Sequence, residues 1–338
     1  ISTRDWSSDV CSSDLPPVRR PAGGVAVILR LAEVLHRSGR ETALVARERA
    51  GWIPEESADR APVILWPDLA LTPGDLWLVP EGWVNALAPG LEAKARCLVY
   101  CQNWAYLFSA LPEGVLWPRL PVEFLAVSDP VAWFMEQALG RRPPVLRPGI
   151  DLARFRPPAA KPQGRPRVAF MPRKNKALAQ QIRAVFESRN GPDRLDWRAI
   201  DGLDAQGVAQ ALQEAHLFLV TGFPEGCPLP PLEAMACGCL PVGCSGLGGW
   251  DYMRPAQQAP RFAPWWPLRE TPWGGNGFWC ADGDVLDAAL CLEQAVGLIE
   301  RGGPDLDGLL AAGQATAQAY GLEAFETAVL DVWAELER

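Results

Sequence analysis

Short runs of apolar residues alternate with segments of helical periodicity along most of the chain. Parallel strands are covered on both faces, so uninterrupted apolar runs predict buried strands. The clearest run, 216–220, leads through a loop rich in Gly and Pro into a predicted helix that ends at Gly238. Pro230 and Pro231 fit the start of that helix, because a first-turn proline loses no needed N–H. The alternation predicts an α/β fold, with further strands at 41–45, 63–66, 76–79, 97–100, 124–127, 166–171, 197–200 and 240–242.

Two carboxylates, Glu225 and Glu233, bracket the turn that follows the 216–220 strand. A loop and helix N-terminus beyond the carboxyl end of a parallel strand is where open α/β sheets bind ligands. A carboxylate suits a pair of sugar or ribose hydroxyls, because it accepts two charge-assisted hydrogen bonds. The alternative is that Glu233 only favours a helix N-terminus and Glu225 is solvated.

A basic loop follows the 166–171 strand and precedes a predicted helix at 177–187. Arg173, Lys174 and Lys176 place three cations in four residues there. One interpretation is a solvated run of charge. The other is neutralisation of a diphosphate, to which Arg offers a bidentate fork and Lys a point charge.

Polar residues also follow three strands of the N-terminal half. Glu81 follows 76–79, Gln102 and Asn103 follow 97–100, and Ser128 follows 124–127. Polar side chains at consecutive strand ends form one floor, whether structural or functional. Gly24, in the pair that opens a helix at 25–37, could receive a phosphate, although glycine there is just as often a turn.

The stretch EGCPLPPLEAMACGCLPV, from Glu225 to Val242, resembles the E-x7-E motif of retaining glycosyltransferase family 4, in the GT-B superfamily. It departs from that motif at Cys227 and Pro228, where the family usually has Phe-Gly. The resemblance implies two Rossmann-like, doubly wound domains facing a central cleft. The C-terminal half would bind the nucleotide-sugar donor and the N-terminal half the acceptor.

The resemblance also implies roles for individual residues. Arg173 and either Lys174 or Lys176 would stabilise the departing diphosphate, Glu225 would hold hydroxyls of the transferred sugar, and Glu233 would hold ribose hydroxyls. In such enzymes the leaving phosphate itself helps to deprotonate the acceptor, without a metal or an enzyme nucleophile. The expected catalytic residues are Arg173, Lys176 and Glu225; the donor-binding residues are Gly24, Lys174, Gly226, Cys227, Pro228, Leu229 and Glu233; and the acceptor-side residues are Glu81, Gln102, Asn103 and Ser128.

Composition narrows the possible partners. The net charge of −8 argues against a nucleic-acid partner, which needs a basic surface. No run of 18 apolar residues occurs, so at most peripheral membrane contact is expected. Nine cysteines without metal spacing and two histidines make a metal site improbable, and no cofactor is expected. Cysteines in apolar contexts fit a reducing cytoplasm.

The domain organisation follows from changes in composition. Residues 4–15 resemble translated sequencing-adapter sequence, so 1–15 is interpreted as an artefactual leader that replaces the first strand of the N-terminal sheet. The predicted N-terminal domain covers 16–156, and a segment rich in Pro, Ala, Lys and Gly forms a linker at 157–166. The donor domain covers 167–320, and a helix at 321–338 is expected to pack back on the N-terminal domain.

The predicted function is therefore a cytoplasmic hexosyltransferase. It would move a sugar from a nucleotide-diphosphate sugar to a glycan, a lipid-linked acceptor or another hydroxyl, with retention of configuration. Two alternatives remain open at this point. One is a degenerate, non-catalytic nucleotide- or sugar-binding protein; the other is a nucleotide-sugar epimerase or sugar phosphorylase of the same fold.

Overall fold

The structure, a computed structural model, describes residues 23–47 and 60–338. Their contacts divide the chain into two compact units. Unit 1 comprises the described residues up to Val127 together with Ala132–Leu146 and Phe325–Arg338. Unit 2 comprises Ser128–Val131 and Arg147–Ala324.

Unit 1 contains two parallel sheets. One pairs β1 (Leu44–Ala46) with β2 (Val63–Leu65), and the other has the order β3 (Leu76–Pro80), β4 (Arg96–Cys101) and β5 (Val122–Ala126). In the second sheet Val79 faces Val99, and Val99 faces Phe124. The central strand β4 is the most deeply buried, since Val99 and Tyr100 are fully inaccessible. The helices are α1 (Gly24–Arg37), α2 (Ala88–Ala93), α3 (Tyr106–Ser109) and α4 (Asp129–Leu139), the last of which begins in unit 2.

The C-terminal helix α10 (Leu322–Leu336) belongs to unit 1 for most of its length. Arg37, the last residue of α1, pairs with Glu326 at 2.7 Å. Arg40 pairs with Glu337 at the same distance. Phe325, Val329 and Trp333, spaced by four residues, are buried as one apolar face.

Unit 2 is built on one five-stranded parallel sheet. Its order is β10 (Phe278–Cys280), β9 (Leu240–Cys244), β8 (Leu217–Val220), β6 (Arg167–Phe170) and β7 (Asp196–Ala199). All four residues of β8, the central strand, are buried. That burial explains why its sequence is apolar without alternation.

Helices cover this sheet: α5 (Lys176–Asn190), α6 (Ala205–Glu214), α7 (Leu229–Ala236), α8 (Val285–Arg301) and α9 (Pro304–Gln318). α5 packs on α8, and their apolar sides join the strands in one core that includes Ile182, Phe186 and Leu292. A second layer has α7 packed between α6 and α9. Helix, sheet and helix therefore form three layers, which is the doubly wound arrangement.

The predicted α/β class with parallel strands is confirmed. The segment predicted to be a linker, 157–166, lies within unit 2, which begins again at Arg147. Hydrogen bonds to other parts of unit 2 hold this segment there. Ile150 N–H donates to Tyr320 O at 2.8 Å, and Lys161 Nζ donates to Ala215 O at 2.6 Å and to Cys237 O at 2.7 Å. The predicted leader at 1–15 and the predicted absence of a first strand lie outside the described residues.

Candidate functional site

The unit 2 sheet changes winding direction between β6 and β8. Numbered along unit 2, the strand order is 2-1-3-4-5, and the first and third strands are the neighbours β6 and β8. In open α/β sheets a ligand binds outside the carboxyl ends of the strands at this point. The loop after β6 carries Arg173, Lys174 and Lys176, and the loop after β8 carries Glu225. Topology thus brings together two motifs that lie about 50 residues apart in the sequence.

Lys174 and Glu225 form an ion pair across this point. The Lys174 ammonium contacts Glu225 Oε1, with 31% of the lysine side chain and 14% of the glutamate side chain exposed. Thr221 Oγ1 donates to Lys174 O at 2.6 Å, so the backbone of the basic loop is fastened to the end of β8. A shallow depression has Lys174, Thr221 and Glu225 in its lining. The arrangement holds one cation and one carboxylate at the open end of the sheet.

Glycines surround Glu225 closely. A Cβ on Gly222 would lie 2.6 Å from Glu225 Oε1, and a Cβ on Gly246 would lie 2.6 Å from Glu225 Cβ. A Cβ on Gly248 would lie 1.8 Å from Gly226 O. Both backbone polar groups of Glu225 are also hydrogen-bonded. Its N–H donates to Gly246 O and its carbonyl accepts from Gly248 N–H, each at 3.0 Å. The loops after β8 and β9 are therefore packed backbone to backbone.

Two hydroxyls hold the carbonyls that follow Glu225. Ser128 Oγ donates to Gly226 O, and Tyr252 OH donates to Pro228 O, each at 2.6 Å. Ser128 and Tyr252 are fully buried. Ser128 therefore positions the Gly226–Pro228 loop, and its expected acceptor-side role stays a prediction. Pro228 precedes α7 as its N-cap, and the backbone of Cys227 and Leu229 continues the loop into that helix.

Glu233 lies on α7. Burial raises the pKa of its carboxyl group to about 7, against the guanidinium groups of Arg173 and Arg154, which lower it. Its carboxylate forms no hydrogen bond or close ion pair with any residue in 23–47 or 60–338. A desolvated carboxyl group with distant cations and no direct partner can accept hydroxyl hydrogen bonds from a ligand.

The basic loop holds its three cations differently. Arg173 and Lys176 are exposed, whereas Lys174 is half-buried in its pair with Glu225. Asn175 adopts a positive φ of 82° and caps α5, accepting from Leu178 N–H at 3.2 Å. Lys176 is the first residue of that helix. The turn directs Lys174 and Lys176 to different surroundings.

The remaining predicted residues lie in unit 1. Glu81 is 4% exposed and accepts from the N–H groups of Gln102 at 2.9 Å and Asn103 at 2.7 Å. Burial raises the pKa of Glu81 to about 7, although these backbone donors lower it. A Cβ on Gly24 would lie 2.9 Å from Gln102 Oε1, so the start of α1 rests against that amide. Glu81 thus ties the ends of β3 and β4 together. Gly24 lies in unit 1, and its expected donor-binding role stays a prediction.

One group of unit 2 residues escaped the sequence prediction. Asp251 is completely buried, and its carboxylate accepts from Arg147 Nε at 2.8 Å, from Asp129 N–H at 2.9 Å and from the Tyr320 hydroxyl. Arg269 adds a bond from Nε to Asp251 O at 2.8 Å. These residues are separated by up to about 190 positions in the sequence, and no local pattern relates them. The network lies directly behind Ser128 and Tyr252, and so supports the Gly226–Pro228 loop.

The two histidines have structural settings. His36 lies in α1, and His216 Nδ1 accepts from Arg167 N–H at 3.1 Å. Within the described ranges no three His, Cys, Asp or Glu side chains converge as a metal-binding set would, and the prediction of a metal-free site stays a prediction. Of the helices in residues 23–47 and 60–338, none combines the length and hydropathy needed to cross a membrane.

Comparison with known proteins identifies one sequence relative and several similar folds, while no family model matches the chain. The α-1,6-glucosyltransferase of Actinobacillus pleuropneumoniae serotype 7 (strain AP76) is 26% identical over 236 residues, covering 68% of this chain and 71% of that protein. Sucrose-phosphate synthase from Thermosynechococcus elongatus superposes with a TM-score of 0.65 at 14% identity, over 93% of this chain and 94% of the other. A mutant of S. aureus TarM, solved with fondaparinux, α-GlcNAc-glycerol and UDP, gives 0.50 at 10% identity, over 77% of this chain and 55% of TarM.

The solved structures share too little sequence with the chain to establish more than its fold. They match it over most of its length and confirm the GT-B architecture predicted from the E-x7-E stretch. The sequence relative is itself a glycosyltransferase. In fold and in sequence, the chain is glycosyltransferase-like, of GT-B type.

Proposed function

We propose that the protein is a retaining hexosyltransferase that moves a sugar from a nucleotide-diphosphate sugar to a hydroxyl acceptor. The observation that carries the proposal is the position of the Lys174–Glu225 pair at the switch point between β6 and β8. The similarity to an α-1,6-glucosyltransferase supports a glucosyl or related donor. The UDP in the TarM structure supports a nucleoside diphosphate as the group bound by unit 2.

The positive charges of the basic loop suit a departing diphosphate. Cleavage of the bond between sugar and phosphate leaves negative charge on the diphosphate, and cations held in place stabilise that charge without reorganising. Arg173 is exposed and available for a bidentate contact with phosphate oxygens. We assign the lysine of this site to Lys174 rather than Lys176, because only Lys174 reaches Glu225 across the switch point.

Glu225 and Glu233 would bind two different parts of the donor. Glu225, paired with Lys174, would accept hydrogen bonds from the transferred sugar, next to the phosphate that leaves. Glu233 lies on α7 and has no direct partner among the described residues. It would accept hydrogen bonds from the ribose hydroxyls. Backbone N–H groups of Cys227 and Leu229 would contact donor oxygens at the start of α7. The leaving phosphate takes the acceptor proton, so the residues of the chain need only bind, orient and stabilise charge.

For the acceptor we propose only a chemical class, namely a hydroxyl group of a glycan, a lipid-linked sugar or another molecule. Glu81, Gln102 and Asn103 remain the predicted acceptor-side residues in unit 1. The Glu81 carboxylate is occupied by two backbone donors, so it would orient the loop rather than touch the acceptor. A cytoplasmic location also stays a proposal.

Ligand-induced stabilisation tests the donor site. We expect one of UDP, GDP or ADP to raise the melting temperature. A ligand at a hundred times its dissociation constant adds about 2.7 kcal/mol to the free energy of unfolding. Arg173→Met and Glu233→Ala should remove the effect. Arg165→Met is the matched control, because Arg165 is an exposed unit 2 arginine that pairs only loosely with Asp193, at 3.5 Å.

Turnover and stereochemistry complete the test. The protein is incubated with the corresponding nucleotide sugars and a mixture of glycan acceptors, and the anomeric configuration of the product is read by NMR. Retention of the donor configuration supports the proposal, and inversion contradicts it. Nucleotide binding without any transfer or hydrolysis would indicate a non-catalytic binding protein instead.

A further inference from the structure

Asp282 meets the loop that follows β9 because two neighbouring strands of unit 2 end in register. Cys280, the last residue of β10, lies opposite Cys244, the last residue of β9. Asp282 and Gly246 each lie two residues beyond that pair, so the two loops leave the sheet side by side. Gly246 N–H donates to Asp282 Oδ1 at 2.8 Å. The end of β10 therefore supplies a carboxylate to the backbone of the loop after β9.

The Asp282 carboxylate is stabilised by backbone N–H groups and not by a side-chain cation. Burial raises the pKa of its carboxyl group, and hydrogen bonds from the N–H groups of Gly246, Ser245 and Leu247 offset part of that rise. Within the described ranges no Arg, Lys or His forms an ion pair with it. Successive N–H groups that converge on one anion form a nest, so the carboxylate fixes the path of residues 245–247.

The same segment adopts a conformation that a leucine rarely takes. Leu247 has φ 71° and ψ −61°, close to the γ-turn of positive φ, which is rare and strained. Strained backbone persists only where the surrounding contacts hold it. Two such contacts flank Leu247: Gly246 O accepts from Glu225 N–H, and Gly248 N–H donates to Glu225 O, each at 3.0 Å. The bond from Gly246 N–H to Asp282 is a third attachment of the segment.

Gly246 connects Asp282 to Glu225 directly. Its N–H bonds to the Asp282 carboxylate, and its carbonyl accepts the Glu225 N–H. A Cβ on Gly246 would lie 2.6 Å from Glu225 Cβ, so the two residues are packed against each other. A displacement of Gly246 therefore moves Glu225, whose side chain pairs with Lys174.

We propose that Asp282 is a positioning residue of the donor site, which holds Gly246 by its N–H and thereby places the Glu225 carboxylate for the transferred sugar. The inference rests on the proposed function, in which Glu225 binds that sugar. It adds a residue that lies outside both the E-x7-E stretch and the basic loop. Asp282 acts on the binding of the sugar and not on that of the nucleotide, which is assigned to Arg173 and Glu233.

The test separates binding of the sugar from binding of the nucleotide. Asp282→Ala should lower kcat/KM for the active nucleotide sugar by about three- to tenfold, because a misplaced Glu225 loses a charge-assisted hydrogen bond. The dissociation constant of the corresponding nucleoside diphosphate, measured by calorimetry, should stay unchanged, because that ligand has no sugar for Glu225 to contact. Asp282→Asn keeps an oxygen that can accept from Gly246 N–H, so it should recover most of the activity.

Asp284→Ala is the matched control. Asp284 is an exposed carboxylate two positions away that also accepts a backbone N–H, that of Asp287 at 2.9 Å, but it caps α8 and not the loop after β9. Its removal should leave kcat/KM unchanged. In a Glu225→Gln background, Asp282→Ala should cause no further loss, because both changes act on the same carboxylate.

Two kinetic outcomes overturn the proposal. One is a wild-type kcat/KM in Asp282→Ala. The other is an equal loss of kcat/KM and of nucleoside diphosphate affinity in that variant, since general damage to the unit 2 fold affects both ligands alike.

A readout without ligand separates this inference from the proposed function. Hydrogen exchange of the Glu225 and Gly246 amides, followed by NMR, should be faster in Asp282→Ala than in wild type and unchanged in Asp284→Ala. Unchanged exchange in Asp282→Ala contradicts the positioning role, whatever the kinetics. Faster exchange in a protein that binds no nucleoside diphosphate and transfers no sugar contradicts the proposed function and, with it, the functional meaning given to Asp282.

Discussion

Lys174 and Glu225 meet across the line where the unit 2 sheet reverses its winding direction. Each residue comes from the loop that follows one of the two strands at that line, β6 and β8. Lys174→Met should lower the turnover number by about a hundredfold, because one cation facing developing charge is removed. Glu225→Gln should lower kcat/KM by about tenfold or more, through a lost charge-assisted hydrogen bond. Steady-state kinetics with the active nucleotide sugar measures both.

The double variant gives a second, sharper readout of this pair. Because the two groups touch, their effects should not add, and the double variant should lose less than the product of the single losses. Lys176→Met serves as the control, being a nearby exposed lysine at the start of α5. A larger loss in Lys176→Met than in Lys174→Met would show that the diphosphate lysine was assigned wrongly.

Gly248→Ala should disrupt the site through the backbone. A Cβ there would lie 1.8 Å from Gly226 O and 2.2 Å from Gly226 C, contacts that only displacement of the loop can relieve. We expect the free energy of unfolding to fall by about 3 kcal/mol and nucleotide binding to be lost. Gly274→Ala is the control, since among the described residues, its two chain neighbours aside, no atom lies within 4 Å of the added Cβ. Chemical denaturation and calorimetry would record the two effects.

The Asp251 network should contribute strongly to the stability of unit 2. Asp251→Asn removes the fully buried counter-charge of Arg147 and leaves only the pair with Asp129, at 2.9 Å, so we expect a loss of about 3 kcal/mol in the free energy of unfolding. Arg37→Met breaks the Arg37–Glu326 pair, of which each side chain is 43% exposed, and should cost less than about 1 kcal/mol. Equal losses in the two variants would mean that the network is not stabilising as a buried unit.

Glu81 makes the stability of the protein depend on pH. Its pKa in the folded state, about 7, lies above the ordinary value of 4.5. The folded protein therefore holds this proton more tightly, and the resulting stability is fully present below about pH 4.5 and is lost as the pH rises through about 7. The loss amounts to about 3 kcal/mol at most. Glu81→Gln should flatten this part of the curve of unfolding free energy against pH. An identical slope in both proteins would contradict the raised pKa.

Local patterns in the sequence were enough to predict most elements of unit 2. The apolar run before Thr221 and the prolines before Leu232 predicted a strand, a loop and a helix, because burial on both faces and proline chemistry act over a few residues. The helix begins at Leu229, slightly earlier than the prolines suggest. Pro230 and Pro231 are accommodated there because N–H groups in the first turn of a helix have no partner within the helix. The side chains around the site could be named because strand ends of a parallel sheet share one edge.

Contacts between distant residues were beyond prediction. Asp251 looks like a loop residue in sequence, and only the fold surrounds it with Arg147, Tyr320 and Asp129. The composition of 157–166 predicted a linker, yet Lys161 donates to the carbonyl groups that end α6 and α7.

The glycines around Glu225 limit which positions can vary. Gly246 and Gly248 leave no volume for a side chain, because an added Cβ would lie 2.9 Å from Gly222 O and 1.8 Å from Gly226 O, so the path of the backbone there limits substitution. Phe223, with 51% of its surface exposed, lies in the same loop as Glu225 without that restriction. Under the proposed function, a change of donor sugar would therefore come from side chains that project from this backbone and not from the path of the backbone itself.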